Sequence, residues 1–445
     1  MRDLLISAIV FGALPLIFRS PWLGIIMFTW LSLMNPHRLA YGFSLNFPFA
    51  MIVALTTLVG LLASKEPKKM IWSRETRLLI AFILWMCLTT VFAMYPQFAQ
   101  IQLEKVLKIQ LMILVALILM RSFDRIEALV WISAASIGFY GFKGGIFTVL
   151  HGGVYRVQGP PGTFIGGNNE LGLAMAMTVP LLYFMRSRVA NPGLKTFMTV
   201  WVVLTAFAAI GTQSRGALLG MAAMGAFVWI NSRNKFFTLV VLAVTATAIA
   251  NFMPESWYER MGTIKTHDED KSAQGRVNAW WTSFHLANDR LLGGGFDCWW
   301  PPTFAMYAPN PDDAREVHSV VFEVLGEHGY IGLAIFTALG VFTWFSAGWT
   351  ARRARRMPDI AWVADMMRMV QVSMVAYATA GQFLGLAYFD YYYTLIVIVV
   401  ATRALVQRRL QGGMPDTEWQ QVQPAGLFAG GRLPNFRRLL TGKSP

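Results

Sequence analysis

Thirteen apolar blocks punctuate this chain, most of them close to the ~20 residues that an α-helix needs to cross a hydrocarbon core. They lie near residues 3–18, 20–35, 46–64, 77–95, 105–121, 127–150, 169–185, 196–211, 215–231, 236–252, 318–348, 367–386 and 391–407. Lipid must be the solvent for such a chain, and in lipid every backbone N–H and C=O needs an internal partner. An all-α polytopic membrane bundle is therefore predicted. Composition agrees: 55% of the 445 residues are hydrophobic and 14% charged, against roughly 25% charged in an average soluble domain. Further blocks follow the first at once, so it reads as a span and not as a removable signal peptide.

The net charge of +14 would suit a nucleic-acid partner if the basic residues formed one surface, but they do not. They concentrate in short segments between blocks, at residues 65–77, 121–125, 186–195, 233–235, 352–356 and after 403. All of these fall on one side if every block from 77 onward crosses, and the positive-inside rule makes that side cytoplasmic. The first three blocks cannot all cross if Met1 is cytoplasmic too. Those flanking Arg19-Ser20-Pro21 are short, so one is expected not to span fully, which gives 12 transmembrane helices.

The same topology places residues 251–317 outside as one long polar loop, with ten acidic residues against six basic ones in a basic protein. The chain thus divides into membrane helices over 1–252, a large, partly helical external loop over 253–317, membrane helices over 318–410, and a tail over 411–445 expected to be mobile. A second external loop, 151–168, is rich in Gly and Pro and is expected to be irregular. Cys87 and Cys298 lie in different surroundings, so no disulfide is expected.

Several polar groups gather at the external ends of blocks. Arg215, in Gly211-Thr-Gln-Ser-Arg-Gly216, interrupts two apolar blocks, and an arginine near membrane depth is costly unless it works; the bland alternative is a side chain that snorkels to the interface. Arg276, in Gln274-Gly-Arg-Val-Asn-Ala-Trp-Trp281, opens a predicted amphipathic helix whose Trp280, Trp281 and Phe284 would rest in the interface. Guanidinium groups hold phosphate by charge-assisted, bidentate bonds, so two of them suit a pyrophosphate. Arg156 would add a third cation from the Gly/Pro loop, with Gln213 beside it as a polar contact. His318, where the long loop enters the next block, titrates near neutrality and suits proton removal from a hydroxyl; otherwise it is an interfacial hydrogen-bonding residue. His328, Gly326, Gly329 and Gly332 read as packing residues, and Asn168 and Asn169 as helix caps. The loop Leu292-Gly-Gly-Gly-Phe-Asp297 reads as flexible and able to approach a ligand, without the pattern of a phosphate loop. No metal constellation is evident; Asp268-Glu-Asp270 and Asp312-Asp313 read as solvated patches.

Thr212-Gln-Ser-Arg-Gly216, Gly275-Arg276 with Trp280, Asp289-Arg-Leu-Leu-Gly293 with Gly295, and His318-Ser319 with Gly326 and Gly329 together resemble the bacterial O-antigen ligase and Wzy polymerase superfamily. Met1-Arg-Asp-Leu-Leu5 and Met34-Asn-Pro-His-Arg-Leu39 resemble its branch of exosortase-associated, O-glycosylation-type ligases. The resemblance implies a GT-C-like glycosyltransferase in the inner membrane with its active site facing the periplasm. It would transfer a glycan from undecaprenyl pyrophosphate to an acceptor hydroxyl with inversion, and without cofactor, metal, nucleotide sugar or ATP. Arg215 and Arg276 would bind the pyrophosphate, and His318 would act as the base or orient the acceptor. A sugar of the lipid A core is the expected acceptor, with protein or another repeat unit as alternatives. A lipid-linked glycan transporter is the contrasting class, but it would need ionisable residues deep within several spans.

Overall fold

The computed structural model describes residues 1–232, 234–262 and 271–412. The acidic patch at 268–270 and the tail beyond 412 lie outside the described residues. Within them all regular structure is helical: α1 (Arg2–Arg19), α2 (Trp22–Met34), α3 (Phe49–Ala63), α4 (Arg74–Val91), α5 (Pro96–Leu119), α6 (Phe123–Leu150), α7 (Asn168–Arg188), α8 (Pro192–Gly211), α9 (Arg215–Asn231), α10 (Lys235–Phe252), α11 (Glu255–Gly262), α12 (Lys271–Asp289), α13 (Pro301–Tyr307), α14 (Val320–Ala354), α15 (Ala361–Ala380) and α16 (Asp390–Leu410). Thirteen of these coincide with the thirteen apolar blocks. Three, α8, α10 and α14, are both long and apolar enough to cross a membrane by length and composition. Helices α2 and α3 have 13 and 15 residues, about 20 and 22 Å, short for a full crossing.

Helix starts follow local chemistry. Ser73, Ser122, Asn191, Ser214 and Asn234 each accept a backbone N–H from the first turn, and Pro96 and Pro192 open α5 and α8, where a missing N–H costs nothing. The core forms around α7 and α16, which are buried on nearly all sides. Close packing uses small residues. A Cβ on Gly145 of α6 would lie 2.3 Å from the Leu204 carbonyl oxygen of α8, and Trp201 Nε1 donates to Gly138 O at 2.7 Å. Without strong apolar drive between helices in lipid, such close approach is what binds them.

The bundle has two unlike ends. At one, Arg125 pairs with Glu66 (2.7 Å), Arg188 with Glu127 (2.8 Å) and Arg409 with Asp359, and nearby Arg403 reaches Glu75 (3.3 Å). This is the basic end. The other gathers the α2–α3, α4–α5, α6–α7, α8–α9 and α15–α16 connections and the 253–319 segment: Met94 N donates to Gly294 O (2.8 Å), Gln213 Nε2 to Gly153 O (3.0 Å), and Gly216 lies against Phe383.

Several spans depart from their predicted bounds, as where α5 starts at Pro96 instead of 105 and α14 runs to Ala354 instead of 348, and two departures shape the interior. The helix expected to reach 386 stops at Ala380, and residues 384–389 run non-helical through a buried region. Side chains satisfy that backbone: Ala387 N donates to Glu323 Oε2 (3.0 Å), Tyr377 OH to Leu386 O (2.9 Å) and Tyr393 OH to Ala387 O (2.9 Å). Irregular backbone at such depth needs this. In α14 the helix breaks at Gly329, with φ 67° and ψ −174°, a conformation open only to glycine.

Candidate active site

The turn Thr212-Gln213-Ser214 joins α8 to α9 and aims Arg215 from the first residue of α9. It is held from two sides. A Cβ on Gly172 of α7 would come within 2.7 Å of Thr212 Oγ1, and Asn168 Nδ2 donates to Thr212 O at 2.9 Å. On the other side Gly216 packs on Ala380 and Phe383. Asn168 was expected to cap α7, but Gly167 occupies the cap position and Asn168 spends its amide on this turn.

Gln213 sits in the left-handed region, with φ 55°, which costs a non-glycine residue about 1–3 kcal/mol. Its amide ties the Gly/Pro loop to the turn: Nε2 donates to Gly153 O (3.0 Å) and Val154 O (3.1 Å), while Oε1 accepts from Arg156 Nε (3.3 Å). Val157 N reinforces this by donating to Gly211 O at 3.0 Å. Two sequence candidates from separate loops therefore touch, with Gln213 holding Arg156.

Helix α12 carries Arg276 within electrostatic reach of His318. The segment after α13 lies along this helix: Asn278 Nδ2 donates to Asn310 O (2.9 Å) and Asp313 O (3.2 Å), and Trp280 Nε1 to Val317 O (3.0 Å). Trp280 stacks on Phe322 of α14 at 5.1 Å and 9°. It therefore packs inward, contrary to the interfacial placement expected of it, whereas Trp281 and Phe284 are exposed. The Arg315 guanidinium packs against Gly275, where a Cβ would be 2.0 Å from Arg315 Cζ and would displace that side chain.

His318 also adopts a left-handed backbone, with φ 43°. Burial pushes its imidazole below the usual histidine value. Glu316, 3.9 Å from Nδ1, pulls it back up, Arg276 pushes it down, Glu170 raises it and Arg315 lowers it. The ring is thus mainly neutral near pH 7 and able to accept a proton. Helix α7 links the two groups: Asn168 bonds the Arg215 turn, and two residues on, the charge of Glu170 reaches His318.

Other motif residues build the frame. The 292–297 loop, expected to be flexible and to approach a ligand, is a clasp: Gly294 N and Gly295 N donate to Gly326 O (2.8 Å) and Glu327 O (2.9 Å), and Arg290 Nη2 to Phe92 O (2.9 Å). Buried Glu327 accepts from Asp297 N (2.9 Å) and Tyr388 OH (2.5 Å). His328 is buried beneath, its Nδ1 2.7 Å from Thr89 Oγ1, and both cysteines are free. Glu170, Arg315, Glu323 and Glu327 escaped the sequence reading. For Glu323 and Glu327 a signal existed, two carboxylates one turn apart in an apolar block; for Glu170 and Arg315 there was none, since their neighbours come from distant segments.

Residues 1–188 match a family of unknown function, DUF5935, and residues 200–337 match the O-antigen ligase family, Wzy_C. No curated protein matches the chain. Arg215, Arg276 and His318 all fall inside the second match and Arg156 inside the first. Through residues 200–337, from α8 into the first half of α14, the chain is similar to the O-antigen ligase family.

Proposed function

We propose that this protein is a ligase that transfers a glycan from an undecaprenyl pyrophosphate carrier to an acceptor hydroxyl at the periplasmic face of the inner membrane. The observation that carries this reading is the placement of a mainly neutral histidine, His318, within the electrostatic reach of Arg276 and beside the helix that holds the Arg215 turn. The acceptor oxygen attacks the anomeric carbon from the side opposite the pyrophosphate. The carbon–oxygen bond to the leaving phosphate breaks, and the hydroxyl proton passes to His318. Arg215 and Arg276, with Arg156 at the rim, offset the charge gathering on the lipid pyrophosphate. Inversion follows from the single displacement, and the charge compensation metals often supply falls to the guanidinium groups. In this topology the 253–317 segment is periplasmic and the basic end is cytoplasmic. Arg2 Nη1 donates to Leu39 O (3.0 Å) and Ser44 Oγ to Asp3 Oδ1 (2.6 Å), so α1 starts at the loop end, which overturns the cytoplasmic Met1 on which the count of twelve crossings rested. A lipid A-core sugar is the proposed acceptor.

Reconstitution of the purified full chain with an undecaprenyl-pyrophosphate glycan and a lipid A-core acceptor tests this. Ligated product without added nucleotide or metal is expected. Joining of two donor glycans instead would identify a polymerase, and movement of intact donor across the bilayer without bond change would identify a transporter.

A further inference from the structure

The loop that carries Arg156 has a second half, facing the N-terminal helices. Gly159 N donates to Gly166 O (3.2 Å), Gly166 N to Thr163 O (3.1 Å) and Thr163 Oγ1 to Pro160 O (2.8 Å), closing a tight lobe around exposed Gly162. Two cations from separate elements converge on it. Arg38, in the 3-10 turn Pro36–Leu39 after α2, brings Nη1 to 3.9 Å from where a Cβ of Gly162 would stand. Lys105 of α5 places Nζ 3.9 Å from the centre of the Phe164 ring.

Neither cation is neutralised as those of the basic end are. Half-buried Arg38 has no ion pair or side-chain hydrogen bond among the described residues. Lys105 feels the charge of Asp390, a buried carboxylate that already accepts from Ser32 Oγ. Arg38 is partly open to solvent, so an anion can reach its guanidinium. The exposed glycine turn lies beside both a guanidinium and an ammonium, a setting that suits an anion.

We infer that Arg38, Lys105 and the Gly159–Gly167 lobe form a second anion subsite that takes the phosphate or carboxylate of an acidic acceptor glycan. The inference rests on the ligase reading above. A single loop then contacts both substrates: Arg156 at the donor pyrophosphate, the lobe at the acceptor. A rigid link of this kind presents one substrate to the other at small entropic cost.

The test titrates the full chain in phosphatidylcholine nanodiscs with two probes, glucose 6-phosphate for the acceptor anion and inorganic pyrophosphate for the donor head group. Arg38→Ala and Lys105→Ala should each weaken glucose 6-phosphate binding about tenfold, the scale of a charge-assisted hydrogen bond, and leave pyrophosphate binding within about twofold. Arg38→Lys should retain most of the affinity. The inference is overturned by any of four results: no saturable glucose 6-phosphate binding to the unsubstituted protein, unchanged binding in both alanine variants, an equal loss for pyrophosphate, or displacement of the sugar phosphate by phosphatidylglycerol in the nanodisc. The third would give the cations to the donor and the fourth to a lipid head group. Failure of the ligase reading shows separately, as normal ligation by Arg215→Ala and His318→Ala.

Discussion

The two ends of the bundle differ in how most of their arginines are held, although Arg121 and Arg186 at the basic end bond backbone carbonyls and a hydroxyl, and Arg315 at the loop end pairs with Asp313. At the basic end Arg125, Arg188, Arg403 and Arg409 each meet a carboxylate, and Arg188 also lies 4.2 Å over the Trp362 ring. At the loop end Arg156 bonds a neutral amide, Arg290 bonds backbone carbonyls, and Arg38 is left without a side-chain acceptor. His318 stands there between two cations and two carboxylates. A cation matched by a carboxylate inside the fold is a strut, and its charge is spent on folding. A cation held by neutral groups and reachable from a site keeps a charge that a ligand can use, so residue type alone does not reveal which job an arginine does.

The sharpest way to break this contrast is substitution at the loop end. His318→Ala and Arg215→Ala should each lower transfer at least about 100-fold, the usual scale for an acid–base or charge-stabilising group, with unchanged amounts of protein in the membrane. Near wild-type ligation by both would remove them from the reaction. Substitution at the basic end should have the opposite signature. Glu127→Ala leaves Arg188 without its partner and should cost about 3 kcal/mol of stability, the lower end of the range for a broken buried pair, seen as a lower Tm with transfer per folded molecule unchanged. A loss of activity at constant Tm would erase the distinction.

Gln213→Ala lies between the two. It frees Arg156 and two loop carbonyls, so transfer should fall about tenfold, as expected for lost positioning bonds, with most of the effect recovered at high donor concentration. A change in kcat alone would instead make Gln213 a direct participant. The smallest effect concerns pH. Because the His318 pKa is lowered, its proton-accepting form persists into mildly acidic solution, and the acidic limb of the rate profile should lie below the ordinary histidine value. Arg315→Gln removes one of the influences that lower it, so the limb should move upward; movement downward, or none, would separate His318 from that limb.

Much of the fold was legible along the chain because lipid punishes exceptions. Each apolar block corresponds to a helix, since a span of that length leaves its backbone no other partner, and the split between basic and acidic connections matches the two ends that the packing brings together. The start of α9 at Arg215 was legible, whereas the starts of α4 and α6, which the caps Ser73 and Ser122 set at Arg74 and Phe123, fell before the expected 77 and 127. Other bounds failed where distant side chains decided them. The stop at Ala380 depends on Glu323, Tyr377 and Tyr393 satisfying residues 384–389, and the break in α14 depends on the 290–295 clasp lying against Gly329. The inward turn of Trp280 depends on Phe322, 42 residues away in sequence.

The sequence by itself determined that this chain folds as a helical bundle with its basic and acidic connections sorted to opposite ends, and it singled out Arg156, Gln213, Arg215, Arg276 and His318 as chemically suited to a pyrophosphate and a hydroxyl. Apolar length and loop charge are local quantities, and so is the chemistry of a side chain. Only the tertiary structure decided which of these groups come together: Gln213 bonds Arg156, Arg276 comes within electrostatic reach of His318, and α7 carries Asn168 to the Arg215 turn and the charge of Glu170 to His318. It also set the protonation of His318, because burial and the charges of four residues from three separate segments act at that one imidazole.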